Sequence, residues 1–249
     1  MNYTKHQITR ETKAAEIYIG NSIKQNIRAI NYQTRKGVQK APLNYLGNTH
    51  GGMAKINGRW YIFYHRQTNK QKCCRQGCAE KITILPDGSI PQAELTSCGL
   101  NGGALSGKGS YEARIACHLM SRKGTFKYEK SFEKDEEGIH PCFTQSGEDR
   151  EENGDQYIAN MTDGSVAGFK YFQFEGTTRI QLMTRGSGKG KVEIRTALDG
   201  SVIGRIPVEP SEKWHLSSVE NVAVPEGISA LYFTYIGEGY MDFNRFELL

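Results

Sequence analysis

The feature that most constrains this 249-residue chain is its punctuation, a series of short apolar runs that stop at Gly, Asn or Asp. The clearest case is Met53 to Ile56, then Asn57-Gly58, then Trp60 to His65. Asn-Gly between two alternating runs specifies a two-residue turn with both central residues at positive φ, which predicts a β-hairpin. A third run, Cys78 to Leu85, leads into Pro86-Asp87-Gly88, a strong turn signal, and a fourth short run spans Ile90 to Leu95. The expectation is four antiparallel strands in succession. No long amphipathic helix is visible, and 28 glycines with 23 Tyr plus Phe suit an all-β chain with tight turns.

Four meandering strands in so short a stretch match one blade of a β-propeller, which cannot bury both faces alone. Residues 1–50 have room for at most one more partial blade. A closed ring therefore needs material beyond this chain, and the missing blades are expected on another segment or another polypeptide. The run Cys98 to Gly109 is glycine-rich but lacks the spacing of a phosphate loop. It reads as linker, as does the segment 111–140 with its charged run Glu129 to Glu137. From Pro141 onward seven runs reappear: Phe169–Phe174, Thr178–Thr184, Lys191–Ala197, Ser201–Val208, Leu216–Val224, Ala230–Ile236 and Tyr240–Leu248. Alternating strands at this spacing predict a jelly-roll β-sandwich. The expected organisation is an unassigned basic segment 1–40, a propeller blade 41–110, a linker 111–140 and a sandwich 141–249.

Charge excludes one class of function. The net charge is +5, but residues 1–40 hold eight Lys or Arg and two Glu, which leaves 24 basic against 25 acidic residues in the remainder. Without a basic face on the folded body, nucleic acid is not an expected partner. No 18-residue apolar window exists, so no membrane span is expected, and no apolar signal core follows Met1. The chain as given is expected in the cytoplasm, with secretion reserved for a longer form. Six cysteines, with Cys73 and Cys74 adjacent, match neither a disulfide scaffold nor paired zinc-ligand spacing.

Particular residues carry a resemblance. The stretch GNTHGG (Gly47 to Gly52), followed by INGRWYIFYHRQT (Ile56 to Thr68) and RQGCAE (Arg75 to Glu80), resembles the last propeller blade of glycoside hydrolase family 43, which contains β-xylosidases and α-L-arabinofuranosidases. The region after about residue 140, with VAGF (Val166 to Phe169), Trp214 and YMDFNRF (Tyr240 to Phe246), resembles a family 6 carbohydrate-binding module. The resemblance implies inverting hydrolysis of O-glycosidic bonds in plant cell-wall polysaccharide of the xylan or arabinoxylan type, using two separated carboxyl groups. In the family those carboxylates come from earlier blades, so Glu80, Asp87 and Glu94 are not assigned as acid or base, and this chain alone is expected to be inactive.

What the resemblance implies for individual residues is as follows. Arg75 falls at the position of an Arg that reaches the glycone subsite, where a fixed cation holds hydroxyls and carboxylates. His50 falls at the axial His that supports calcium and substrate. In the module, Phe169 and Trp214 are the expected sugar-stacking pair and Asp242 a hydroxyl partner. Gln145, Glu148 and Asn244 fall near the ligands of a structural calcium ion, a cation that takes oxygen donors. The alternative reading is a non-catalytic carbohydrate-binding protein.

Overall fold

The computed structural model describes residues 51–70, 74–125, 138–147 and 155–249. The segment 1–40 lies outside them. Every regular element described is a strand or a short 3-10 turn.

The hairpin forms as expected. Strands β1 (Gly51–Ile56) and β2 (Arg59–Gln67) pair antiparallel about Asn57 and Gly58, at φ 48° and 79°. β3 (Arg75–Ile82) completes a three-stranded sheet in the order β1-β2-β3. The fourth expected strand does not form. Pro91 offers no N–H to a ladder, and the segment instead crosses one face of the sheet, where Ala93 and Leu95 bury with Ile62, Tyr64 and Ile82. Glu80 fastens it there: its carboxylate accepts from Thr96 N at 2.8 Å, Thr96 Oγ1 at 2.6 Å and Tyr64 Oη at 3.1 Å.

The rest is a sandwich of two six-stranded sheets. In chain order the strands are β4 (Leu105–Ser106), β5 (Gly109–Glu112), β6 (His118–Met120), β7 (Cys142–Ser146), β8 (Asp155–Met161), β9 (Val166–Phe174), β10 (Arg179–Gly186), β11 (Lys189–Arg195), β12 (Gly204–Val208), β13 (Ser211–Glu220), β14 (Gly227–Glu238) and β15 (Met241–Leu248). One sheet runs β13-β10-β15-β8-β7, with β5 also pairing β15; the other runs β12-β11-β14-β9-β4, with β6 also pairing β9. Between them lies an aromatic core. Phe169, Phe172, Phe174, Phe233, Phe243 and Phe246 are all fully buried. Phe169 meets Phe246 edge-to-face with ring centroids 4.7 Å apart, a geometry that adds about 1 kcal/mol to the burial itself.

The linker expectation is corrected here. β5 and β6 fall within or against the segment 111–140, and both are sandwich strands. The glycine-rich run belongs to the sandwich as well: Gly107 N donates to Gln173 O at 2.6 Å, and a Cβ at Gly107 would stand 2.4 Å from that same backbone oxygen. Glycine is needed there for a close approach of two backbones, not for flexibility.

Sheet and sandwich are stitched together. Arg66 is 5% exposed and donates to the carbonyl oxygens of Arg114 and Ala116, while its guanidinium lies 3.6 Å from the Phe143 ring centroid. Asn69 N donates to Phe143 O at 2.6 Å. On the opposite side Ser97 N donates to Lys170 O at 2.5 Å, and Lys170 Nζ bonds Glu94 at 2.6 Å.

Candidate carbohydrate-binding site

Strand alternation places Trp214 of β13, Arg185 of β10, Asp242 and Asn244 of β15, and Asp155 and Tyr157 of β8 in one connected cluster on the sheet β13-β10-β15-β8-β7. Arg185 is its hub. Its Nε pairs with Asp242 Oδ2 at 3.1 Å and its Nη2 donates to Tyr157 Oη at 2.9 Å. Its Cζ lies 4.3 Å from the Trp214 ring centroid and 4.8 Å from that of Tyr157. Partial burial works against the charge, but the bond to Asp242 and the neighbouring Tyr157 raise the pKa of the guanidinium above its ordinary value. Asp242, 8% exposed, also accepts from Asn160 N at 3.1 Å. Trp214 Nε1 donates to Asp155 Oδ2 at 3.1 Å, and Asn244 Nδ2 donates to Asp155 Oδ1 at 2.5 Å.

Arg185 and Asp242 continue into an open cleft of about 490 Å³. Ser187, Ser211, Glu212 and the half-exposed ring of Tyr240 line its walls. An exposed aromatic face beside a fixed cation, carboxylates and hydroxyls suits a polyol ring, which presents apolar C–H faces and a hydroxyl rim. The polar groups are held by one another before any ligand arrives.

Of the expected site residues, Trp214, Asp242 and Asn244 come together in this cluster. Phe169 does not: it is fully buried against Phe233, Phe243 and Phe246, so it cannot stack on a sugar. Its place on β9, facing the opposite sheet, makes it core. Arg75 is exposed at the start of β3 and opens onto a separate cleft shared with Gln145. His50 and Glu148 lie outside the described residues.

The calcium set does not assemble as expected. Gln145 accepts from Gln156 Nε2 at 3.4 Å, whereas Asn244 bonds Asp155. Asp155 and Gln156 are consecutive on β8 and point to opposite faces of the sheet. Gln145 and Asn244 therefore do not fit around one ion. No group of three or more His, Cys, Asp or Glu suited to a metal occurs among the described residues.

The acidic residues of the three-stranded sheet and of the segment that follows it have other partners. Glu80 is buried at 3% exposure, not at the surface or a strand end, and burial pushes its carboxyl up to about 7 against the bonds from Thr96 and Tyr64. Asp87 closes the turn onto Ser89, and Glu94 binds Lys170 and Tyr171.

Sequence reasoning missed Tyr157, Arg185, Asp155 and the cleft wall at Tyr240. A signal existed for two of them: Asp155 and Tyr157 alternate with Gln156 and Ile158 in a short strand pattern that precedes the first sandwich run expected.

The fold defines a class, a jelly-roll type of β-sandwich fused to strands of a propeller. Over 212 residues the chain is 47% identical to a xylosidase/arabinosidase of Thermoclostridium stercorarium, a match that takes in 83% of this chain and 43% of the relative. The chain thus spans less than half the length of the curated relative it matches. Its fold resembles that of a glycoside hydrolase family 43 arabinoxylan arabinofuranohydrolase from Bacillus subtilis, solved in complex with cellotetraose, at TM-score 0.53 and 19% identity, covering 81% of this chain and 41% of that one. A family 6 carbohydrate-binding module from Clostridium cellulolyticum, in complex with xylose, aligns with 58% of this chain and 99% of its own at TM-score 0.44 and 17% identity. No family model matches. Within the class, the chain resembles the C-terminal portion of a glycoside hydrolase family 43 polypeptide with a family 6-like module.

Proposed function

We propose that this chain is the C-terminal part of a glycosidase acting on xylan- or arabinoxylan-type plant polysaccharide, inverting in its complete form, and that its sandwich holds the glycan at the Trp214–Arg185–Asp242 cluster and the cleft beside it. The observation that carries the reading is the 47% identity to a xylosidase/arabinosidase over most of this chain. The site adds a physical rationale: an exposed aromatic ring, a fixed guanidinium and carboxylates at one cleft can bind a neutral sugar without chemistry. That Glu80, Asp87 and Glu94 are engaged elsewhere supports the reading that the catalytic acid and base belong to propeller blades outside this chain.

Affinity electrophoresis in soluble arabinoxylan, with Trp214→Ala and Tyr240→Ala beside the parent chain, tests the binding half. Retardation lost in both variants supports it, and retardation unchanged in both removes the site. Hydrolysis of aryl α-L-arabinofuranoside and aryl β-D-xyloside tests the other half, since turnover by this chain alone would contradict the placing of the carboxylates. A structural calcium ion is part of the same proposal, without the Gln145–Asn244 pairing. A melting temperature that rises with calcium chloride over a chelator supports it, and equal values remove calcium from the reading.

A further inference from the structure

The wall of the cleft that carries Tyr240 is made by two connections that cross between the sheets. Ser187 and Gly188 join β10 to β11, and Gly239 and Tyr240 join β14 to β15. The pairings Arg185 with Asp242 and Lys189 with Glu238 bring the two connections side by side at one end of the sandwich.

They meet backbone to backbone. A Cβ at Gly186, φ 124°, would stand 2.5 Å from Tyr240 O, and one at Gly239, φ 68°, would stand 2.7 Å from Ser187 O. No side chain keeps such distances, so each connection needs a glycine where it touches the other. Ser187 Oγ accepts from Tyr240 N at 3.4 Å, and Tyr235 Oη donates to Glu238 O. Gly237 N donates to Asp163 Oδ1 at 3.2 Å, which ties the β14–β15 connection to the one between β8 and β9.

The consequence falls on one side chain. The amide and the carbonyl of Tyr240 both rest on the neighbouring connection, and a Cβ at Gly186 would also meet the Tyr240 ring, 3.2 Å from Cε2. The ring therefore lies against bare backbone at Gly186, half-exposed on the same wall as Arg185 and Asp242. A methyl group at position 186 has no room unless the ring and its backbone move. An aromatic ring fixed in this way before binding loses little freedom when a ligand stacks on it.

We propose that Gly186, Ser187 and Gly239 are positioning residues, a clasp that holds Tyr240 as a preset aromatic platform, and that they govern sugar affinity at the cleft through Tyr240 and not by contacts of their own. The proposal rests on the glycan reading above; the dependence of Tyr240 on the clasp can fail separately.

The test is calorimetric titration of the whole chain with xylohexaose, in double-mutant cycles against Tyr240→Ala. Tyr240→Ala is expected to weaken binding about tenfold. Gly186→Ala should weaken it as much, and the two together no more than either, because both remove one platform. Ser187→Ala takes away only the acceptor for Tyr240 N; it is expected to weaken binding about threefold, with no further loss once Tyr240 is alanine, and it carries the test where Gly186→Ala does not fold. Gly176→Ala imposes the same kind of strain, at φ 68°, in a turn with open space around it, and should leave affinity unchanged. Ring-fluorinated tyrosine adds a signal that needs no sugar: the Tyr240 resonance, assigned by its loss in Tyr240→Phe, is expected to move in Gly186→Ala and Ser187→Ala and to stay in Gly176→Ala. Losses that add in the double variants, or a Tyr240 resonance that does not move, would each overturn the proposal. Xylohexaose binding lost in Tyr240→Ala but kept in both clasp variants removes the clasp and leaves the cleft standing, whereas binding unchanged in Tyr240→Ala removes the cleft as well.

Discussion

Phe169 and Trp214 look alike in the sequence, since each is an aromatic residue on a strand of alternating pattern, and burial separates them. Phe169→Ala removes a side chain from the centre of the aromatic core and is expected to cost about 4 kcal/mol. Trp214→Ala acts at the surface and is expected to cost about 1 kcal/mol while weakening xylo-oligosaccharide binding about tenfold or more. Urea unfolding with calorimetric titration measures both, and a Phe169 variant that stays stable but loses binding would restore it to the site. Glu80 offers a second residue-scale prediction. Burial holds its proton to about pH 7, whereas an unfolded glutamate loses it near 4.3. The folded state therefore binds more protons between those values, and stability falls as pH rises from about 4.3 through about 7, by roughly 3 kcal/mol in total. Glu80→Gln has no proton to lose, so its stability relative to the parent should climb across pH 5 to 8. Urea midpoints that run parallel for the two proteins over that range would mean the carboxylate is better solvated than its surroundings indicate.

At the scale of elements, the hairpin and the seven later runs were legible because each carries its own local code. Asn57-Gly58 dictates a turn, and period-two alternation dictates a half-buried strand. The misses share a physical cause. β4, β5 and β6 are two to four residues long and exist because β9 and β15 offer free edges to pair with, which no local pattern reveals. Ile90 to Leu95 looked like a strand because its burial is that of a core segment, yet its partners are side chains and not a ladder. The site was legible only in part for the same reason: Trp214 and Asp242 stand out as residue types, but Arg185 joins them through the pairing of β10 with β15 and β13. The seam is the element-scale feature with the sharpest consequence. Arg66→Ala leaves the carbonyl oxygen of Ala116 without its donor, leaves that of Arg114 with Gln76 Nε2 alone and uncovers Phe143, and it is expected to destabilise by about 3 kcal/mol. Amide exchange should rise in β2, β3 and β7 while the strands around Phe169 stay protected. A uniform rise across both parts would show that Arg66 serves global stability and not the seam.

For the whole molecule, the question is whether three strands of a propeller and a sandwich behave as one body. The small cluster of Ile62, Tyr64, Ile82, Ala93 and Leu95 would be a marginal core for an independent unit, and it also takes in Cys117, from the approach to β6. Hydrogen bonds cross the junction on two sides, through Arg66 and Asn69 at one and Ser97 and Lys170 at the other. The sheet should therefore borrow its stability from the sandwich and unfold with it. The sequence supplies the reporters, since its two tryptophans, Trp60 on β2 and Trp214 on β13, fall one in each part. In single-tryptophan variants, Trp214→Phe reports on the sheet and Trp60→Phe on the sandwich. Their fluorescence transitions in urea, each compared with circular dichroism of the same variant, are expected to coincide with it, as a single cooperative unit requires. Adding Arg66→Ala should separate them, with the Trp60 signal moving to lower urea. Transitions that are already separate without that substitution would show that the junction orients the two parts without coupling their folding.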